Sequence, residues 1–121
     1  MTTPKISVPR ISAIIPVWNG EAVLGRCLAA LAAQTLPRQA YEVIVVDNGS
    51  TDATVEIARG FAGVRLLSEP EPGSYAARNS AIGVAAAPLI AFTDADCVPA
   101  PDWLERALTA ATRHPGLRAL G

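Results

Sequence analysis

Leu89-Ile90-Ala91-Phe92-Thr93-Asp94-Ala95-Asp96 is an apolar run that ends in two aspartates separated by one residue. A strand buried on both faces of a parallel sheet reads as a near-continuous apolar segment, and ligands of open α/β sheets bind just past the carboxyl ends of such strands. The run predicts a strand over 89–93, with Asp94 and Asp96 where a metal-bound phosphate group would be held. Mg²⁺ and Mn²⁺ take oxygen ligands, and Mg²⁺ commonly uses one or two carboxylates plus substrate phosphates, so two aspartates suffice. Asp-x-Asp also arises by chance, and aspartate is a frequent turn and capping residue. The rest of the chain decides between these readings.

Outward from that run, strand-like and helix-like segments alternate, the pattern of an α/β layer fold with parallel strands. Ile11 to Val17 and Tyr41 to Asp47 read as strands, the second with the β-branched centre Val43-Ile44-Val45-Val46, and Val64 to Ser68 reads as a third. Glu21 to Gln34 carries Val23, Leu24, Cys27, Leu28 and Leu31 at helical spacing, and Leu36-Pro37 stops it. Asp52 is placed as the N-cap of a short helix from Ala53 to Arg59, with Gly60 at its end. The stiff acidic loop Glu69-Pro70-Glu71-Pro72-Gly73 precedes a helix over Tyr75 to Ala85. Pro99 and Pro101 set a turn before a helix capped by Asp102 and running to Arg113, and His114-Pro115-Gly116 ends it. Leu117 to Gly121 reads as the opening of a further strand. The expected architecture is a Rossmann-like three-layer α/β/α fold with a mostly parallel sheet of order 3-2-1-4, one domain over residues 1–121 that stops mid-fold.

A chain of 121 residues supports one core. Half of the residues are apolar, 17% are charged and the mean hydropathy is +0.30, which argues against disorder and for a sheet covered on both faces. A net charge of −1 offers no broad electrostatic footprint for nucleic acid or an anionic membrane, so phosphate recognition has to be local. Cys27 and Cys97 lack metal-ligand spacing and read as unpaired thiols, in keeping with a reducing compartment. No signal peptide is visible, and the longest apolar stretch, Val84 to Phe92, contains Pro88 and is less than half of the roughly 20 residues a spanning helix needs. The expectation is a cytoplasmic protein without a membrane segment of its own, membrane association being left to a longer parent.

Three loops directly follow strands: Pro16-Val17-Trp18-Asn19-Gly20, Asp47-Asn48-Gly49-Ser50-Thr51-Asp52 and Asp94-Ala95-Asp96. Right-handed crossovers with order 3-2-1-4 bring all three to one edge of the sheet, which raises the two aspartates above chance. Together with Ala77-Arg78-Asn79, the stretches Ile14-Ile15-Pro16-Val17-Trp18-Asn19, Val45 to Asp52 and Asp94-Ala95-Asp96 resemble the N-terminal half of a family 2 glycosyltransferase with a GT-A fold. The resemblance implies a nucleotide-sugar donor, UDP-linked in the usual case, and a hydroxyl acceptor on a saccharide, lipid or other molecule. It implies that Pro16, Val17, Trp18 and Asn19 line the base pocket, that Asp47 recognises the base, that Arg78 lies near the nucleotide, that Asp94 meets the ribose and that Asp96 coordinates Mn²⁺ or Mg²⁺. Three positions depart from the family pattern: Asn48 stands where Asp is frequent, Trp18 replaces a common Tyr, and Cys97 follows Asp96 where many members carry a third Asp.

In the family, the acceptor site and the carboxylate that deprotonates the acceptor hydroxyl for inverting transfer lie beyond the region this chain matches, so the chain alone is expected to bind donor with little or no transferase activity. Its fourth strand is expected to present an open apolar edge that invites a homodimer. A non-catalytic nucleotide-binding or assembly module is the alternative. A phosphoacceptor receiver domain is weakened because no acidic pair follows the first strand, and a dinucleotide oxidoreductase because no Gly-x-Gly-x-x-Gly does. The plainer readings make Asp47 a turn initiator, Asp52 a helix cap, Arg78 a solvated helix charge, His114 a helix-end residue, and Glu69 and Glu71 solvated loop charges.

Overall fold

The computed structural model describes residues 8–113 and 119–120. Strands β1 (Ile11–Val17), β2 (Tyr41–Asp47), β3 (Val64–Ser68), β4 (Leu89–Phe92) and the two-residue β5 (Ala119–Leu120) form one parallel sheet of order β3-β2-β1-β4-β5. Helices α1 (Leu24–Ala32), α2 (Thr54–Arg59), α3 (Ser74–Ile82) and α4 (Trp103–Arg113) make the crossovers. The predicted order 3-2-1-4 is therefore present, with β5 added beyond β4. That addition covers part of the edge expected to lie open on the fourth strand, since β5 pairs with Ile90 and Ala91.

Central position explains the composition of β1, whose seven residues are all buried. Ile11, Ala13, Ile15 and Val17 point with Tyr41, Val43 and Val45 into the larger core, where Leu24, Cys27, Leu28, Leu31 and Leu104 close over them. Ile14, Ile44 and Val46 face the other way, onto Ala77 and Ala81 of α3. Alternation along each strand divides the side chains between two layers, and each fully buried Leu or Ile contributes about 1.5–3 kcal/mol. Ser12, the polar interruption in β1, is fully buried and satisfied: its hydroxyl donates to Glu42 Oε2 at 2.5 Å and accepts the Ala87 N–H at 3.3 Å.

Helix ends are where the structure departs from the sequence pattern. Residue 24, not 21, opens α1, because the Glu21 carboxylate accepts the Ala53 N–H and the Glu21 N–H donates to Asp52 Oδ2. At the other end Gln34 leaves the helix to bond the Ala100 carbonyl and the Leu104 N–H. Ala53 occupies the N-cap position of α2, and Asp52, one residue earlier, accepts the Thr54 N–H at 3.0 Å. Gly83 closes α3, so the predicted extension to Ala85 is absent. The residues of the predicted stop after α4, His114, Pro115 and Gly116, lie outside the described residues, as does the start of the chain.

Candidate functional site

All three strand-end loops meet at the carboxyl edge of the sheet, because β2 and β4 flank β1 in parallel. The loop after β1 is bent by Asn19 at φ 48° and passes through Gly20, where an added Cβ would lie 2.6 Å from Val17 Cγ2. Backbone and side chains then stitch this loop to the one after β2. Asn19 N–H donates to Ser50 Oγ at 2.8 Å, Asn19 Oδ1 accepts the Thr51 N–H at 2.8 Å, and Gly20 N–H donates to the buried Thr54 Oγ1 at 2.9 Å. Asp47, 7% exposed, accepts the Ser50 N–H at 3.2 Å, and its main-chain carbonyl takes the Glu69 N–H. The Thr54 hydroxyl, with the Thr54 and Glu21 N–H groups behind it, holds Asp52 below the usual carboxylate range.

The loop after β4 is built differently. Its carbonyl at Asp94 accepts the Cys97 N–H at 3.0 Å and is approached by Cys27 Sγ at 3.7 Å, but the side chains of Asp94, Asp96 and Cys97 are exposed. Their ligand atoms lie within 4.8 Å of one another. Arg78 from α3 comes to 3.6 Å from Asp94 Oδ1 with its guanidinium carbon 5.5 Å from the Phe92 ring centroid, and its buried Nε has no hydrogen-bond partner among the described residues. Burial first, and then the neighbouring Cys97, Asp96 and Asp94, push the Cys27 thiol up to about 11, so it remains a protonated core group.

Between the loops runs a cleft in two adjoining parts. Pro16, Val17, Trp18, Asn48, Ser74 and Asp94 line about 110 Å³ of it, and Trp18, Asn48, Pro72, Gly73 and Ser74 line a further 280 Å³. Of the residues anticipated for the donor site, Pro16, Val17, Trp18 and Asp94 come together here. Asp47 sits beside them, paired with Val17 across the sheet, while Asp96 and Arg78 adjoin through Asp94. Asn19 does not line the cleft; its side chain is committed to Thr51. Asn48, Pro72, Gly73 and Ser74 are wall residues that the sequence pattern left without a part in the cleft. A larger cavity of about 480 Å³, walled by Val8, Pro9, Leu89 and Leu108 among others, lies at the opposite end of β1 and β4. It contains none of these acidic groups and is on the wrong edge for a ligand of a parallel sheet.

The donor set at Asp94, Asp96 and Cys97 fits a divalent cation. Two exposed carboxylates a few ångströms apart supply hard oxygen ligands, the remaining positions are open for phosphate oxygens, and a thiolate is compatible with the softer first-row ions.

The profile of glycosyl transferase family 2 matches residues 12–117. Glycosyltransferase AglE of Haloferax volcanii is 44% identical over 108 residues, which is 85% of this chain and 36% of that protein. Among solved structures, S. aureus TarS 1-349 in complex with UDP aligns with a TM-score of 0.78 at 28% identity, covering 87% of this chain and 32% of that one. The mannosyltransferase PcManGT from Pyrobaculum calidifontis, in complex with GDP-Man and Mn²⁺, aligns with a TM-score of 0.79 at 33% identity over 85% of this chain and 32% of that one. The chain thus spans about a third of the length of each of these three proteins. With its strand order, its strand-end loops and a matched span from β1 past α4, the protein belongs to glycosyl transferase family 2.

Proposed function

We propose that this chain is the donor-binding part of a glycosyltransferase, taking a nucleoside diphosphate sugar, with UDP as the favoured nucleotide, together with Mn²⁺ or Mg²⁺ for inverting transfer to a hydroxyl acceptor. The observation that carries this is the cleft itself: Pro16, Val17, Trp18 and Asp94, from two different strand ends, wall one space with Asp47 at its side. The similar solved structures in complex with UDP, and with GDP-Man and Mn²⁺, support it.

Each group has work suited to its surroundings. The Asp47 carboxylate receives the Ser50 N–H and has further lone pairs to accept an N–H of the base. Trp18, 66% exposed, offers an aromatic face at the cleft wall. Asp94 accepts from ribose hydroxyls, and Arg78 beside it adds a positive charge near the diphosphate. Asp96, with Cys97 next to it, would hold the cation, which when bound orients the donor and neutralises charge on the leaving diphosphate. No group here is needed as a covalent nucleophile. Carboxylates engaged by ribose or metal are poor bases for an acceptor hydroxyl, so the chain alone is proposed to bind donor without transferring the sugar. Both cysteines are free, which agrees with a cytoplasmic site, and among the described residues no helix is long and apolar enough to cross a membrane.

A thermal-shift titration with UDP, GDP, CDP and ADP, each with and without Mn²⁺, tests the reading. Nucleotide at a hundred times its dissociation constant stabilises the native state by about 2.7 kcal/mol, a shift of several degrees for a domain of this size. The expected result is a Mn²⁺-dependent shift with UDP that disappears in Asp96→Ala. No shift with any nucleotide, from a protein shown to be folded, removes the proposal.

A further inference from the structure

Asn48 lines both parts of the cleft, yet its side chain is spent on a segment more than twenty residues away. Nδ2 donates to the Glu69 carbonyl at 2.7 Å and to the Glu71 carbonyl, while Oδ1 accepts the Gly73 N–H at 2.8 Å. Besides these bonds, the Glu69 N–H donates to the Asp47 carbonyl at 2.9 Å and the Glu71 N–H to the Glu69 carboxylate at 3.0 Å, and neither reaches the Gly73 end of the segment. Pro70 to Tyr75 are all exposed, two of them are prolines without an N–H, and Gly73 stands at φ 105°. Gly73 is also where α3 begins, its carbonyl accepting the Ala77 N–H at 3.3 Å, and the next residue of that helix is Arg78, which reaches Asp94.

We infer that Asn48 is a positioning residue of the donor site: its carboxamide fastens the 69–73 loop as the outer wall of the cleft and fixes the start of α3, so that Arg78 meets Asp94. This rests on the donor-binding reading above. The chemistry requires an amide, because only a group that donates twice and accepts once satisfies two carbonyls and one N–H. Aspartate has the same shape but, ionised, only accepts; at position 48 it would keep the Gly73 bond and face the carbonyls of Glu69 and Glu71 with no proton to offer. The asparagine, where family members often carry aspartate, is thus matched to a proline-bearing loop that offers it carbonyls.

The test compares Asn48→Asp with Asn48→Ala in a Trp103→Phe background, which leaves Trp18 as the single tryptophan. In ligand-free protein, amide hydrogen exchange is expected to rise at least about ten-fold at Gly73 and Ala77 in Asn48→Asp, and less in Asn48→Ala, with the amides of β1 and β2 unchanged. UDP affinity, read from Trp18 emission, is expected to fall about ten-fold in Asn48→Asp and by a smaller factor in Asn48→Ala. That order is the signature of a donor requirement, since loss of the contacts alone would make the alanine variant the worse of the two. Unchanged exchange over 69–77, or faster exchange with UDP affinity intact, overturns the inference. A parent protein that binds no nucleotide removes the donor-site reading and with it this role for Asn48; the exchange measurements show separately whether the clamp exists. Should Asn48→Asp fail to fold, Asn48→Ser, which donates once, is expected to fall between asparagine and alanine, and equality with asparagine overturns the inference.

Discussion

The loop after β2 and the loop after β4 leave the same edge of the sheet with only β1 between them, and they are opposites. In the first, Asp47 is buried, and Ser50, Thr51, Asp52 and Thr54 exchange hydrogen bonds with Asn19, Gly20 and Glu21 across the gap to the loop after β1. In the second, the Asp94 side chain is 63% exposed, and Asp94, Asp96 and Cys97 are turned outward with Arg78 as the nearest charge. The contrast matches the two ends of the proposed donor. A base presents fixed N–H and C=O positions and is best met by groups whose ordering was completed during folding, because a preorganised site loses less entropy on binding. A diphosphate with its cation brings its own charge and geometry, so carboxylates that wait for it need no partners within the protein. One side of the cleft is finished by the chain; the other is finished by what binds.

Removing the finished side's central bond breaks the comparison most directly. Thr54 is fully buried, and its hydroxyl accepts the Gly20 N–H and donates to Asp52. Thr54→Val keeps the shape and leaves the Gly20 N–H buried without an acceptor, at a cost of about 1–3 kcal/mol in a denaturant titration. Nucleotide affinity should weaken with it, since Gly20 and Asn19 carry the junction between the loops. Asp96→Ala is the counterpart on the open side. Among the described residues its exposed carboxylate accepts only the long contact from the neighbouring Cys97 Sγ at 3.8 Å, so stability should change by less than about 0.5 kcal/mol while the Mn²⁺-dependent part of nucleotide binding is lost. A large loss of stability in Asp96→Ala, or none in Thr54→Val, would show that the two loops are not built on different principles.

Much of this was legible from residue order, for identifiable reasons. The bounds of β1 and β2 agree with their apolar runs because these central parallel strands are buried on both faces, and Ser12 and Glu42, the polar residues inside them, satisfy each other; β3, at the sheet edge, was legible from Val64, Leu66 and Leu67 although Arg65 is exposed. Helix ends depart from the sequence pattern where a side chain answers to another part of the chain. Glu21 and Gln34 look like good helix residues, and what takes them out of α1 are partners at Ala53, Ala100 and Leu104 that no local pattern reveals. The site divides in the same way. Trp18 and Asp94 follow from their position at strand ends, whereas the part Asn48 plays is hidden from the local pattern because its three partners lie 21–25 residues away. The available signal was chemical: an amide beside Asp47 can donate as well as accept, and the acidic loop with two prolines is rich in carbonyls and short of N–H groups.

The smallest expected effect separates charge from geometry on the finished side. Asp52 is held below its ordinary 3.8 chiefly by the Thr54 hydroxyl, so its ionised form is favoured by folding. A carboxyl whose folded value is depressed contributes stability above the unfolded value and loses it as pH falls through the folded one. Asp52→Asn retains an oxygen at Oδ1 for the Thr54 N–H, places an amide NH2 where Oδ2 accepts the Glu21 N–H, and has no charge to lose. The parent protein should therefore be the more stable of the two at pH 7, and the gap should narrow as pH drops below 3.8 and the ionised form is lost. Denaturant titrations of both proteins at pH 7, 4 and 3 read this directly. A gap that persists unchanged at pH 3 would mean that the oxygen's position, not its ionisation, ties Asp52 to α2, and that the loop after β2 is ordered by shape alone.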